Sequence, residues 1–197
     1  MRVLKKGQLA TAIAAAISTC VWCSSAVAQA GTDGQAAVWT AKEFRFTYQG
    51  FTTKYSCDGL QDKVRKILLE LGARKDLEIT RWGCAGDSGR PDPFPGVAVK
   101  MNVLEPLDSA TSAASEPSLP AHWQNIKLRL DHNALTEAGE CELVEQVKQK
   151  ILPLFATRKV DYKSTCVPHQ LSPGGTQLAA EVLIADPNPP QAAPAAR

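Results

Sequence analysis

The sequence predicts an α+β fold: two tandem β-α-β-β repeats, with the helices packed on one face of an antiparallel or mixed sheet. Three observations carry this prediction. Cys57 opens a helical pattern and Cys84 closes the strand after it, and Cys141 and Cys166 do the same further on, at separations of 27 and 25 residues. Strand-like runs of period two flank each helix in the same order. The offset between matching elements stays between 81 and 84 residues, from Phe44/Ile126 to Val97/Leu178.

The chain opens with a processing signal. Arg2, Lys5 and Lys6 precede an apolar, Ala-rich run from Leu9 to Val21, and Ala26, Ala28 and Ala30 fit an A-x-A-like cleavage site. This reads as a secretory signal peptide over 1–28. The run is short for the roughly 20 residues of a membrane span and is broken by Ser and Thr. Cys20 follows Thr19, where a lipid-anchored cysteine would follow a small Gly, Ala or Ser.

Removing 1–28 takes three of the 22 basic residues and none of the 20 acidic ones, so the mature chain carries a net charge of −1. That balance gives no field to attract nucleic acid or acidic lipid. Cys20 and Cys23 leave with the signal, and the four remaining cysteines enter an oxidising compartment, periplasmic or secreted. Residues 29–38 read as a disordered N-terminus.

The first repeat spans 39–104. Phe44, Phe46 and Tyr48 alternate with Arg45 and Thr47, a half-buried strand. From Cys57, the apolar residues Leu60, Val64, Ile67, Leu68 and Leu71 make one stripe of a helix, and Gly72 stands as its stop. Leu77 and Ile79 begin the next strand. A turn from Ala85 to Gly96 leads to Val97, Val99, Met101 and Val103 on one face of the last strand.

Residues 105–121, rich in Ser, Ala and Pro, read as a linker. The second repeat spans 122–185. Ile126, Leu128 and Leu130 alternate with charged residues. Val144, Val147, Ile151, Leu152 and Phe155 continue the helical stripe from Cys141, with Pro153 predicting a kink or early end. Val160 and Tyr162, then Leu178, Ala180, Val182 and Ile184, supply two strands. The tail 186–197 is Pro/Ala-rich and reads as disordered. Within each repeat the expected strand order is first, third, second, as in the ferredoxin-like split β-α-β. Whether the two sheets join is left open.

In a β-α-β-β unit the start of the helix and the end of the second strand lie at the same end. The pairs Cys57–Cys84 and Cys141–Cys166 occupy those places. A disulfide in each closes a loop that the chain-entropy model values at roughly 3–4 kcal/mol.

Two stretches resemble functional families. Cys84-Ala85-Gly86-Asp87-Ser88-Gly89-Arg90-Pro91 resembles the nucleophile motif of trypsin-like serine proteases, C-x-G-D-S-G-G-P, over eight residues, departing at Arg90. The resemblance would make Ser88 a nucleophile and the Gly86 and Ser88 amides its oxyanion hole. A triad also needs a His and an Asp. In that family both precede the serine, whereas His122, His132 and His169 all follow it here. Tyr55-Ser56-Cys57-Asp58-Gly59-Leu60 before a helix resembles a heavy-metal-associated domain, which holds a soft cation with C-x-x-C. Leu60 stands where the second cysteine belongs.

The polar faces of the strands place Arg45, Lys100, Lys127, Arg129 and Lys163 away from the helices, with Thr47 and Asn102, and with Glu78, Asp161 and Glu181 diluting their charge. These five cations are the candidate binding face. Trp39, Trp82 and Trp123 flank the strands as packing residues. In overall character the mature chain is similar to uncharacterised secreted proteins of Gram-negative bacteria, which implies export alone. No motif calls for a cofactor. The reading is therefore a non-enzymatic binding or scaffolding module for a protein or envelope component, with a soft-metal or thiol-redox role for the cysteine pairs as the alternative.

Overall fold

The computed structural model describes residues 34–85, 90–108, 117–128, 134–167 and 175–187, with the backbone alone over 134–140. The predicted signal peptide and nearly all of the Pro/Ala tail lie outside them. The elements are β1 (Gly34–Thr47), α1 (Cys57–Glu70), β2 (Glu78–Trp82), β3 (Gly96–Pro106), β4 (Leu119–Leu128), α2 (Ala134–Lys150), a 3-10 turn (Leu152–Leu154), β5 (Thr157–Ser164) and β6 (Thr176–Ala185).

The strands form one six-stranded sheet in the order β2-β3-β1-β4-β6-β5, and every neighbouring pair is antiparallel. This overturns the expected α+β fold of two tandem β-α-β-β repeats. The described residues are dominated by a single sheet, to which two helices are added. The physical reason lies in strand lengths that hydrophobic periodicity does not report. β1 begins at Gly34, inside the stretch 29–38 read as disordered, and β4 begins at Leu119, inside the stretch 105–121 read as linker. Those extra lengths pair with each other, Gly34–Ala37 against Leu119–His122, and fuse the sheet into one. Pro120 is tolerated there because only its carbonyl is needed: it accepts from the Asp186 amide at 3.1 Å.

The helices follow from local chemistry. Ser56 caps α1 by accepting from the Gly59 amide at 3.1 Å, and Asp58 complements the positive end of the helix dipole. Gly72 ends the helix at φ 92°, a left-handed conformation that suits glycine. A Cβ there would also lie 3.2 Å from the Leu183 carbonyl oxygen. α2 stops at Lys150, and Pro153 sits in the 3-10 turn that follows, since a proline cannot continue the helical bond ladder.

One core joins both helices to both halves of the sheet: Phe46 and Val97 from the first half, Leu178 and Val182 from the second, Leu68 from α1 and Leu143 from α2 are all essentially buried. A bolt of hydrogen bonds ties α2 to the loop after β1. The Glu142 carboxylate accepts from the Phe51 amide at 2.8 Å, the Thr52 amide and hydroxyl at 3.2 Å each, and the Tyr48 hydroxyl at 3.4 Å. Burial raises the Tyr48 hydroxyl above the ordinary phenol range, and nearby Tyr55 and Glu142 push it further the same way.

A second, smaller apolar cluster lies on the opposite face at the β1–β4 seam, where Ala37, Leu104, Ala121 and Leu183 are buried beneath Trp39, Trp123 and Leu119. Among the described residues, no helix is long and apolar enough to cross a membrane.

Candidate functional site

Residues directly opposite one another in an antiparallel pair share a face. The register therefore lays out the helix-free face of β2-β3-β1 as three rows across the strands. Trp82, Gly96 and Thr47 form one, Thr80, Ala98 and Arg45 the next, and Glu78, Lys100 and Glu43 the third. Two side chains in this grid are small. Ala98 floors a shallow groove of about 330 Å³ walled by Glu43, Arg45, Glu78, Thr80 and Lys100. That volume is at the lower end of the ~300–1,000 Å³ usual for small-ligand sites.

Gly96 stands between Trp82 and Thr47, and Arg45, diagonal to Trp82 across β3, stacks its guanidinium on the Trp82 ring, 3.7 Å from the ring centroid. Nothing larger than glycine fits. A Cβ on Gly96 would sit 2.8 Å from the Trp82 carbonyl oxygen and 3.1 Å from that of Phe46. Trp82 remains 41% exposed beneath its guanidinium. Lys100 reaches Glu43 at 3.4 Å, both well exposed.

The helix-free face of β4-β6-β5 is built from similar residue types but is closed by its own contacts. Arg158 stacks on Trp123 at 4.6 Å and is also bound by Glu181, which Lys159 grips at 2.8 Å. Hydrogen bonding from Lys159, joined by that from Arg158, holds the Glu181 carboxyl below the ordinary glutamate range. Lys159 takes φ 51° at the register shift between Arg158 and Asp161, a bulge that brings both cations onto one carboxylate. Lys163 pairs with Asp161 at 3.1 Å.

Of the five cations proposed as a binding face, Arg45 and Lys100 come together in the groove. Lys127 and Lys163 stand on the same face in the other half of the sheet, and Arg129 lies outside the described residues. The sequence reading of Trp82 as a packing residue misses the Arg45–Trp82 stack, which stands in the row next to the groove. The alternation of β2 held the signal: if Ile79 faces the helices, Trp82 faces away from them.

Both disulfides form within their halves, Cys57–Cys84 with Cα atoms 6.3 Å apart and Cys141–Cys166 with Cα atoms 6.2 Å apart. Two intramolecular disulfides fit an oxidising, extracytoplasmic compartment. Ser88 and its flanking glycines lie outside the described residues. The shoulders of that loop are tied by Asp92, which is 6% exposed and accepts from the Ala85 amide at 2.8 Å and the Phe94 amide at 2.9 Å. Among the described residues no three His, Cys, Asp or Glu side chains gather where they would hold a metal. No protein-family model, curated protein or solved structure matches this chain.

Proposed function

We propose that this chain is a non-enzymatic, disulfide-stapled binding module of the bacterial envelope, working in the periplasm or outside the cell, and that it binds through the helix-free face of β2-β3-β1. One observation carries the reading. On that face an exposed aromatic ring, a guanidinium and a groove with both donors and acceptors stand together, while on the other half Arg158 and Lys159 are both tied to Glu181 and Trp123 packs in the seam cluster. Side chains anchored on hydrogen-bonded strands lose little freedom when a ligand arrives, which favours binding. The alternative, a soft-metal or thiol role, requires thiolates. Each of the four sulfurs is already bonded to its partner, Cys57 to Cys84 and Cys141 to Cys166.

Two measurements test this. Thiol labelling of the native protein should modify none of Cys57, Cys84, Cys141 and Cys166. Labelling of all four would replace the binding module with the thiol reading. Photo-crosslinking in cells from a probe at Thr80, in the groove, should trap an envelope component, while the same probe at Asp62, exposed on α1, should not. Equal yields, or none from either position, would remove the helix-free face as the binding surface.

A further inference from the structure

The groove over Ala98 has a chemistry that selects its ligand. Its walls carry two cations, Arg45 and Lys100, and two carboxylates, Glu43 and Glu78, so the local charge sums to zero. No field there favours a phosphate, a polyanion or a polycation. Arg45 and Lys100 only donate hydrogen bonds, ionised Glu43 and Glu78 only accept them, and the Thr80 hydroxyl does both. A carboxylate ligand would meet two like charges, and so would an ammonium ligand. A hydroxyl both donates and accepts, so a ligand with several hydroxyls can satisfy every wall.

The aromatic element narrows the class further. Trp82, 41% exposed, stands one row beyond the groove on the same face, and Arg45, which lines the groove, stacks on its ring. The fitting ligand is therefore apolar on one flat side and hydroxylated around its rim, as a pyranose ring is. An extended peptide would instead need a free strand edge. At β2, which is the outer strand here, the Ile79 carbonyl is already taken by the Gln61 side chain at 3.1 Å.

We infer that this groove binds an uncharged glycan, with one C–H face of a sugar ring against the Arg45–Trp82 stack and its hydroxyls on Thr80, Glu78 and Lys100. This deepens, and rests on, the proposal that the helix-free face of β2-β3-β1 is the binding surface. The groove is open on the sheet surface, so a sugar chain can run past it.

Calorimetric titration of the purified protein with chitotriose, cellotriose and maltotriose tests the inference. At least one should saturate with a Kd tighter than about 1 mM. That Kd should stay constant as salt rises from about 0.05 M to about 0.5 M, because an uncharged ligand displaces no counterions. Trp82→Ala should weaken binding about tenfold or more, the scale of one lost aromatic contact. Trp123→Ala should leave it unchanged, and Trp82→Phe, which keeps a ring, should retain more affinity than Trp82→Ala.

Saturation by none of the three sugars, equal losses at Trp82 and Trp123, or an affinity that falls with salt would each overturn the glycan assignment. The crosslinking at Thr80 separates the two levels. A trapped partner without sugar binding removes the glycan and keeps the face, whereas loss of both removes the face as well.

Discussion

The halves β2-β3-β1 and β4-β6-β5 each stack an arginine on a tryptophan, Arg45 on Trp82 in the first and Arg158 on Trp123 in the second. In the second half the arginine is also bound by Glu181, and the indole belongs to the apolar cluster at the seam, with its Nε1 donating to the Gln35 side chain at 3.2 Å. In the first half the guanidinium rests on the Trp82 ring, and that residue stays 41% exposed. The same pair of residue types is thus structural where a carboxylate and neighbouring apolar side chains fix it, and accessible where the ring stands clear of an apolar cluster. What an Arg–Trp pair does is decided by its neighbours.

The two staples give the largest test of how far the halves differ. They enclose nearly equal separations, 27 and 25 residues. The chain-entropy model then gives each a stabilisation of roughly 3–4 kcal/mol. The double variants Cys57→Ala/Cys84→Ala and Cys141→Ala/Cys166→Ala should each lose about that much in urea melts, within ~1 kcal/mol of one another. Because Phe46, Leu68, Leu143 and Val182 share one core, each variant should still unfold in a single transition, with an m-value equal to or above that of the unaltered protein because the unfolded chain is less constrained. Two separated transitions would show that the halves fold independently.

Gly96→Ala comes next in size and should act on the first half alone. The added methyl meets backbone carbonyls of both neighbouring strands, which cannot rotate away as a side chain would. Overpacking of this kind costs about 1–3 kcal/mol. The cost should appear as faster amide exchange at Glu78–Trp82, with β5 and β6 unaffected. Sugar binding should fall as well, since the Trp82 backbone must move away from the methyl and take its ring out of place under Arg45. Ala179→Gly, a truncation on the same face of the other half, should not change binding. A stable Gly96→Ala variant with unchanged exchange in β2 would mean that the outer strand tolerates a wider spacing.

These contrasts also explain which parts of the fold were legible in the sequence. The apolar stripe from Leu60 to Leu71 and the stops at Gly72 and Pro153 are local signals, and α1 and α2 end where such signals place them. The cysteine pairing was legible because it depends on the order of elements and not on how the halves join. The join itself was not, because Gln35, Ala36 and Ala37 have no alternation and Pro117–Pro120 reads as linker. Their strand character comes from each other across the seam, a non-local pairing that no window of sequence contains. The candidate site was half legible. Alternation puts Arg45, Lys100 and Trp82 on one face, while only the strand register sets Arg45 diagonal to Trp82 so that the two can stack.

The smallest effects come from protons, and they divide the halves by pH. In the second half Lys159 and Arg158 hold the Glu181 carboxyl below its ordinary range, and in the first Arg74 does the same for Asp76 through a side-chain hydrogen bond. For both groups the unfolded chain takes up protons first as pH falls. Their stabilisation is therefore present above the ordinary carboxylate range, near pH ~4, and is lost as pH drops through the depressed native values. Tyr48 has the opposite sign. Burial keeps its hydroxyl protonated, so above about pH 10 the unfolded chain ionises while the folded chain does not, and stability declines as pH rises. The acid limb of a stability–pH profile is thus shared between the halves, whereas the Tyr48 share of the alkaline limb belongs to the first. Urea melts across pH should find Glu181→Gln and Asp76→Asn each flattening part of the acid limb, and Tyr48→Phe flattening the alkaline limb alone. A Tyr48→Phe profile parallel to that of the unaltered protein above pH ~10 would mean that the hydroxyl is not kept protonated by the core it shares with Glu142.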